Sequence, residues 1–111
     1  MALPHASSGQ CIDLRPFADA LPQQQSCALL KGRQLELMRL VLPAGKAMPR
    51  HSVPGEVTLL CLEGEVELQA HGLSQRLGAG ELVWLEGGVD HALLALCDSS
   101  LLLTIQLSAS A

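Results

Sequence analysis

Two histidines carry most of the chemistry in this chain, and each sits in a glycine-framed segment: His51 between Gly45 and Gly64, and His91 after Gly80, Gly87 and Gly88. A neutral imidazole ligates metals and hydrogen-bonds carboxylates or hydroxyls, so two of them in one pocket suit metal coordination or capture of a small polar ligand. His5 lies in the leader and His71 on the polar face of a strand, and neither is expected in a site. The cysteines Cys11, Cys27, Cys61 and Cys97 are widely spaced with no CxxC pair, the pattern of free thiols in a reducing compartment. Gly87-Gly88 reads as a turn, since a phosphate-cradling loop needs a following helix.

The elements that must position these histidines are strands. From Glu56 to His71, two β-rich runs meet at Leu62-Glu63-Gly64-Glu65, a hairpin signal in which Gly64 takes the positive φ of the turn. In the first arm Val57, Leu59 and Cys61 share one face and Thr58, Leu60 and Leu62 the other, which predicts a strand buried on both sides. In the second arm Val66, Leu68 and Ala70 alternate with Glu65, Glu67, Gln69 and His71, which predicts half exposure. Further strands are expected over Ser26–Lys31 and Gln34–Leu42 across Gly32-Arg33, then up to Leu77, over Glu81–Leu85, over His91–Cys97 and over Leu101–Leu107, with Asp98-Ser99-Ser100 as a turn. A short helical turn is placed within Asp13–Leu21. The first ten residues and Ser108–Ala111 are expected to fray.

A chain of 111 residues has room for one domain and one core. Eight or more short strands at close turn spacing argue for an all-β sandwich or barrel. With 49% hydrophobic and 16% charged residues and a mean hydropathy of +0.31, so small a domain cannot bury all its apolar surface, and a homodimer is expected. Net charge is −4 without a basic stripe, and Phe17 and Trp84 are the only aromatic residues besides histidine. Nucleic-acid binding therefore has no electrostatic or stacking platform. Apolar runs are too short to span a membrane as a helix, and the N-terminus lacks the pattern of a secretory signal, so a cytoplasmic location is expected.

The glycine-framed segments resemble the two signature motifs of the cupin superfamily, whose fold is a jelly-roll β-barrel, or double-stranded β-helix. In the first motif Gly45, His51 and Gly64 fall on the family's positions, and Pro54-Gly55-Glu56 resembles its usual Pro-Gly-Glu turn. The family's second histidine falls on Val53 and its glutamate on Val57. In the second motif Gly80, Gly88 and His91 fall in place, whereas the proline position holds Glu86 and the asparagine position Ala95. The resemblance implies a single cupin domain over 1–111, with the barrel core about 34–107 and an extension over 1–33 adding edge strands.

Metal-binding cupins use two histidines and a glutamate from the first motif and one histidine from the second, which leaves His51 and His91 as the metal ligands carried over here. Zinc and non-haem iron sites normally take at least three protein ligands, and by strand parity Cys61 is the nearest further donor. The expected site is therefore a largely apolar pocket of His51, Val53, Val57, Leu59, Cys61, His91 and Leu93. The expected function is a homodimeric barrel that binds or senses a small molecule, without cofactor, nucleic acid or membrane. Such cupin domains often resemble the ligand-binding half of bacterial transcription regulators, but DNA-binding helices are not suggested here. The alternative is a metal-dependent enzyme, a dioxygenase or isomerase, using Zn, Fe, Ni or Mn with an incomplete ligand set.

Overall fold

The computed structural model describes residues 5–107, so the fraying expected of the first ten residues falls outside the described residues for Met1–Pro4, as does that expected of Ser108–Ala111. It contains nine strands: β1 (Cys27–Lys31), β2 (Leu35–Leu42), β3 (Ala47–His51), β4 (Val57–Glu63), β5 (Glu65–Ala70), β6 (Leu73–Gly78), β7 (Leu82–Leu85), β8 (His91–Ala95) and β9 (Ser99–Gln106). A five-stranded sheet in the order β1-β2-β9-β4-β7 faces a four-stranded sheet in the order β3-β8-β5-β6, every pairing being antiparallel. This is the all-β jelly-roll arrangement expected of the chain.

The core lies between the sheets. Val57, Leu59 and Cys61 of β4 sit opposite Ile105, Leu103 and Leu101 of β9, while Val66, Leu68 and Leu77 come from the other sheet. The outward residues Thr58, Leu60 and Leu62 are half-buried, so β4 is covered on both faces, though unequally. On β5, Val66, Leu68 and Ala70 are buried and the residues between them are not, which is the predicted alternation.

One pairing differs from the sequence expectation. β4 and β5 do not form a hairpin: β4 joins the five-stranded sheet and β5 the other. Gly64 (φ +86) is the corner where the chain changes sheets, and a Cβ there would meet Ser99 Oγ and the Asp98 carbonyl well inside contact distance. Glycine is required by that close approach as well as by the backbone angle. The tight hairpin is instead β5–β6, closed by His71-Gly72 with φ values of 55 and 71, the two positive angles of a type I′ turn. His71 is thus a turn residue.

Three other expectations shift. β3, carrying Pro49 and Arg50 on an edge, has a strand geometry that periodicity did not signal. Ser99 and Ser100 belong to β9, because the Ser99 hydroxyl donates to the Cys97 carbonyl (2.8 Å), with that of Glu65 at 3.2 Å, and accepts from Glu65 N, building the strand start into the corner. The helical turn is a 3-10 helix at Ala18–Gln23, later than expected. In the leader, Ala6 N donates to the Leu29 carbonyl of β1, and Gln10 N closes a turn on the Ser7 carbonyl.

Candidate functional site

His51 ends β3 and His91 opens β8, and the antiparallel register makes them direct partners. A bulge between Met48 and His51 sets that register, and the two rings lie 4.6 Å apart between centroids at 53°. Both Nδ1 atoms point at main-chain carbonyls two residues back, His51 at Pro49 (3.1 Å) and His91 at Val89 (3.0 Å). A carbonyl only accepts, so each Nδ1 carries a proton and each Nε2 is left for other partners. His91 is buried, with 4% of its surface exposed, whereas His51 is exposed, so the pair has one walled and one open ring.

The remaining residues expected around the pair are placed mainly in the packed interior. Val57, Leu59, Cys61 and Leu93 belong to one buried apolar cluster, with Val53 packed partly against it. Val53 also closes the turn beneath the histidines, its carbonyl accepting from Gly88 N. Gly87 is needed there because a Cβ would strike the Pro54 carbonyl. Cys61 is directed away from the pair. Its single S–H donates at the sheet corner, to the Glu63 carbonyl (3.4 Å) with that of Gly64 at 3.6 Å, and this corner pairs with the far end of β8 through Leu96 N and the Glu65 carbonyl. Burial pushes the Cys61 thiol pKa up, more than its hydrogen bond at Glu63 lowers it, so the thiol is a packed, protonated group. Among the described residues, no three His, Cys, Asp or Glu side chains are grouped to hold a metal ion. His51 and His91 supply two of the three or more protein donors that a resident zinc or iron ion usually takes.

Sequence reading missed a polar cluster at the opposite corner. Arg39, in the middle of the apolar strand β2, faces outward from the barrel but is buried under the N-terminal segment. Its guanidinium donates to the Arg15 carbonyl, Glu63 and Ser100, and lies 3.7 Å from the centroid of the Phe17 ring. Arg39 Nε has no partner among the described residues. Burial alone would raise the Glu63 carboxyl pKa; hydrogen bonds from Ser100 (2.6 Å), Phe17 N (2.9 Å) and Ala18 N (3.1 Å), with the Arg39 charge, outweigh that and hold it below the ordinary range. A bulge between Cys61 and Glu63 turns Glu63 outward to meet them. The available signal was the arginine itself, since a charge inside a two-sided apolar strand requires a buried partner.

A family model for the cupin domain matches residues 38–104, a stretch that contains both histidines and the Gly64 corner. The chain belongs to the cupin family. Among solved structures, this cupin is similar to a conserved protein of unknown function from Streptococcus pyogenes (TM-score 0.75, 22% identity, covering 99% of this chain and 97% of that one). It is also similar to a cupin superfamily protein from Desulfitobacterium hafniense (TM-score 0.77, 14% identity, 97% and 100% covered). A third similar structure is the DMSP lyase DddQ from Ruegeria pomeroyi (TM-score 0.69, 24% identity), of which this cupin covers 48% while 78% of its own length is covered. Identities at this level speak for the fold alone. No curated protein matches the chain.

Proposed function

We propose that this cupin is a homodimeric barrel that binds or senses a small molecule through His51 and His91. The observation that carries the reading is the pairing of the two rings, 4.6 Å apart between centroids, with both Nδ1 atoms anchored on main-chain carbonyls, which leaves each Nε2 available to a ligand. Two such groups suit a small ligand bearing a carboxylate or hydroxyl on an apolar body. The exposed Leu73, Leu82, Leu94 and Leu96 give the barrel apolar surface to share with a second copy. The free state of the four cysteines supports a reducing, cytoplasmic setting. No helix among the described residues is long and apolar enough to cross a membrane.

The test is a thermal-shift screen of small carboxylates and hydroxy acids on tag-free protein, with elemental analysis of the same sample. A ligand at a hundred times its Kd contributes about 2.7 kcal/mol, or about 10 °C in Tm for a domain of this size. That shift should vanish in His51→Ala and His91→Gln. Stoichiometric metal lost in both variants would overturn the reading in favour of a metal-dependent cupin enzyme. Sedimentation showing only monomer at micromolar concentration would remove the dimer.

A further inference from the structure

We propose that the outer face of the five-stranded sheet carries a second ligand site, a groove against Trp84 that takes a neutral saccharide. It lies outside the barrel and is independent of the histidine pair. The groove is open to solvent, offers about 530 Å³ and is lined by Glu56, Thr58, Trp84, Thr104 and Gln106, with Gln34 and Leu35 at one side. That volume is within the range of about 300–1,000 Å³ typical of small-molecule pockets. Sheet register builds the groove: Trp84 of β7, Thr58 of β4 and Thr104 of β9 form one row across three neighbouring strands.

Trp84 is 57% exposed, yet its ring is tethered. Its Nε1 donates to Glu56 Oε1 (2.6 Å), and the Glu56 main-chain N donates to Gln106 Oε1 (3.0 Å), tying indole, carboxylate and carboxamide together. The indole therefore presents its flat face at little further cost in side-chain entropy. Among the described residues, the Thr58 and Thr104 hydroxyls, the Gln34 carboxamide and the Gln106 amide nitrogen make no hydrogen bond to protein and remain available beside that face. A sugar ring matches both halves of this surface, with C–H groups to lie on the indole and hydroxyls for the amides, hydroxyls and carboxylate. A purely apolar ligand would leave those polar groups unpaired, and an anion would meet Glu56 with no Lys or Arg in the lining.

The chain has one tryptophan and no tyrosine, so its emission reports this groove alone. Titration of the intact protein with glucose, galactose, maltose and cellobiose should give a saturable change in Trp84 emission with a millimolar midpoint for at least one of them. Thr104→Val, which keeps the strand shape, should weaken that binding about fivefold, the equivalent of one neutral hydrogen bond, with an unchanged thermal midpoint. His51→Ala should leave it unaltered, so failure here and failure of the histidine site are separable. The proposal is overturned by a flat response to every sugar at about 100 mM, or by saturation with tetramethylammonium alone, which would make the groove a cation site. It is equally overturned by emission that reddens on dilution in step with dissociation of a dimer, which would make a second copy the occupant.

Discussion

Replacing Glu63 by Gln should be among the most damaging single-atom changes available in this protein. One carboxylate accepts from Phe17 N, Ala18 N, Ser100 Oγ and Arg39, and an amide can offer only one acceptor oxygen while pointing a donor at groups that themselves donate. Arg39 would also keep its charge: its side chain is 4% exposed, and Glu63 is the carboxylate it pairs with, at 3.3 Å. Breaking a buried pair from one side costs about 3–5 kcal/mol; the 14% exposure of Glu63 argues for the lower end, about 3 kcal/mol. At roughly 4 °C per kcal/mol for a domain of about this length, the thermal midpoint at neutral pH should fall by about 12 °C. Glu63 has its folded pKa depressed below the ordinary 4.5, so its stabilisation is present above the unfolded value and is lost as pH falls through the folded one. The gap between native protein and Glu63→Gln should accordingly narrow as the pH drops below about 5. Circular dichroism melts of both proteins across that range make the measurement, and Arg39→Met/Glu63→Leu, which removes both charges, should recover part of the loss. A neutral-pH deficit under about 1 kcal/mol, or a gap that widens in acid, would refute the assignment of this pair as the anchor of the N-terminal segment.

Two further outcomes follow from the packing. Gly64→Ala should cost more than about 2 kcal/mol in urea unfolding, because the added Cβ meets Asp98 and Ser99 at the sheet corner, whereas Gly72→Ala, equally left-handed but with open space around it, should cost about 1 kcal/mol; equal losses would show that backbone angle alone matters at the corner. In timed thiol labelling, Cys11 and Cys97 should react at once and Cys61, fully buried with a raised pKa, only on unfolding; rapid modification of Cys61 in the native protein would contradict its placement.

The spacing of Gly45, His51, Gly64, Gly80, Gly88 and His91 resembles the two cupin motifs without coordinates; Gly45, Gly80 and Gly88 meet local turn demands through their positive φ, whereas the need for Gly64 also comes from Asp98 and Ser99 across the corner. The alternation along β5 was equally legible, since strand period and one-sided burial are local properties. What lay beyond reach is non-local. The apolar pattern of β4 says that it is covered on both faces but not by what, and its partners β7 and β9 come from much later in the chain. Arg39 announces a buried charge, yet its carboxylate is 24 residues away and its serine 61. The two histidines become a pair only because a bulge sets the β3–β8 register, and Cys61 leaves them because its thiol finds carbonyls at the corner. Strand parity decides which face a side chain takes; pairing register and bulges, which depend on the partner strand, decide what it meets there.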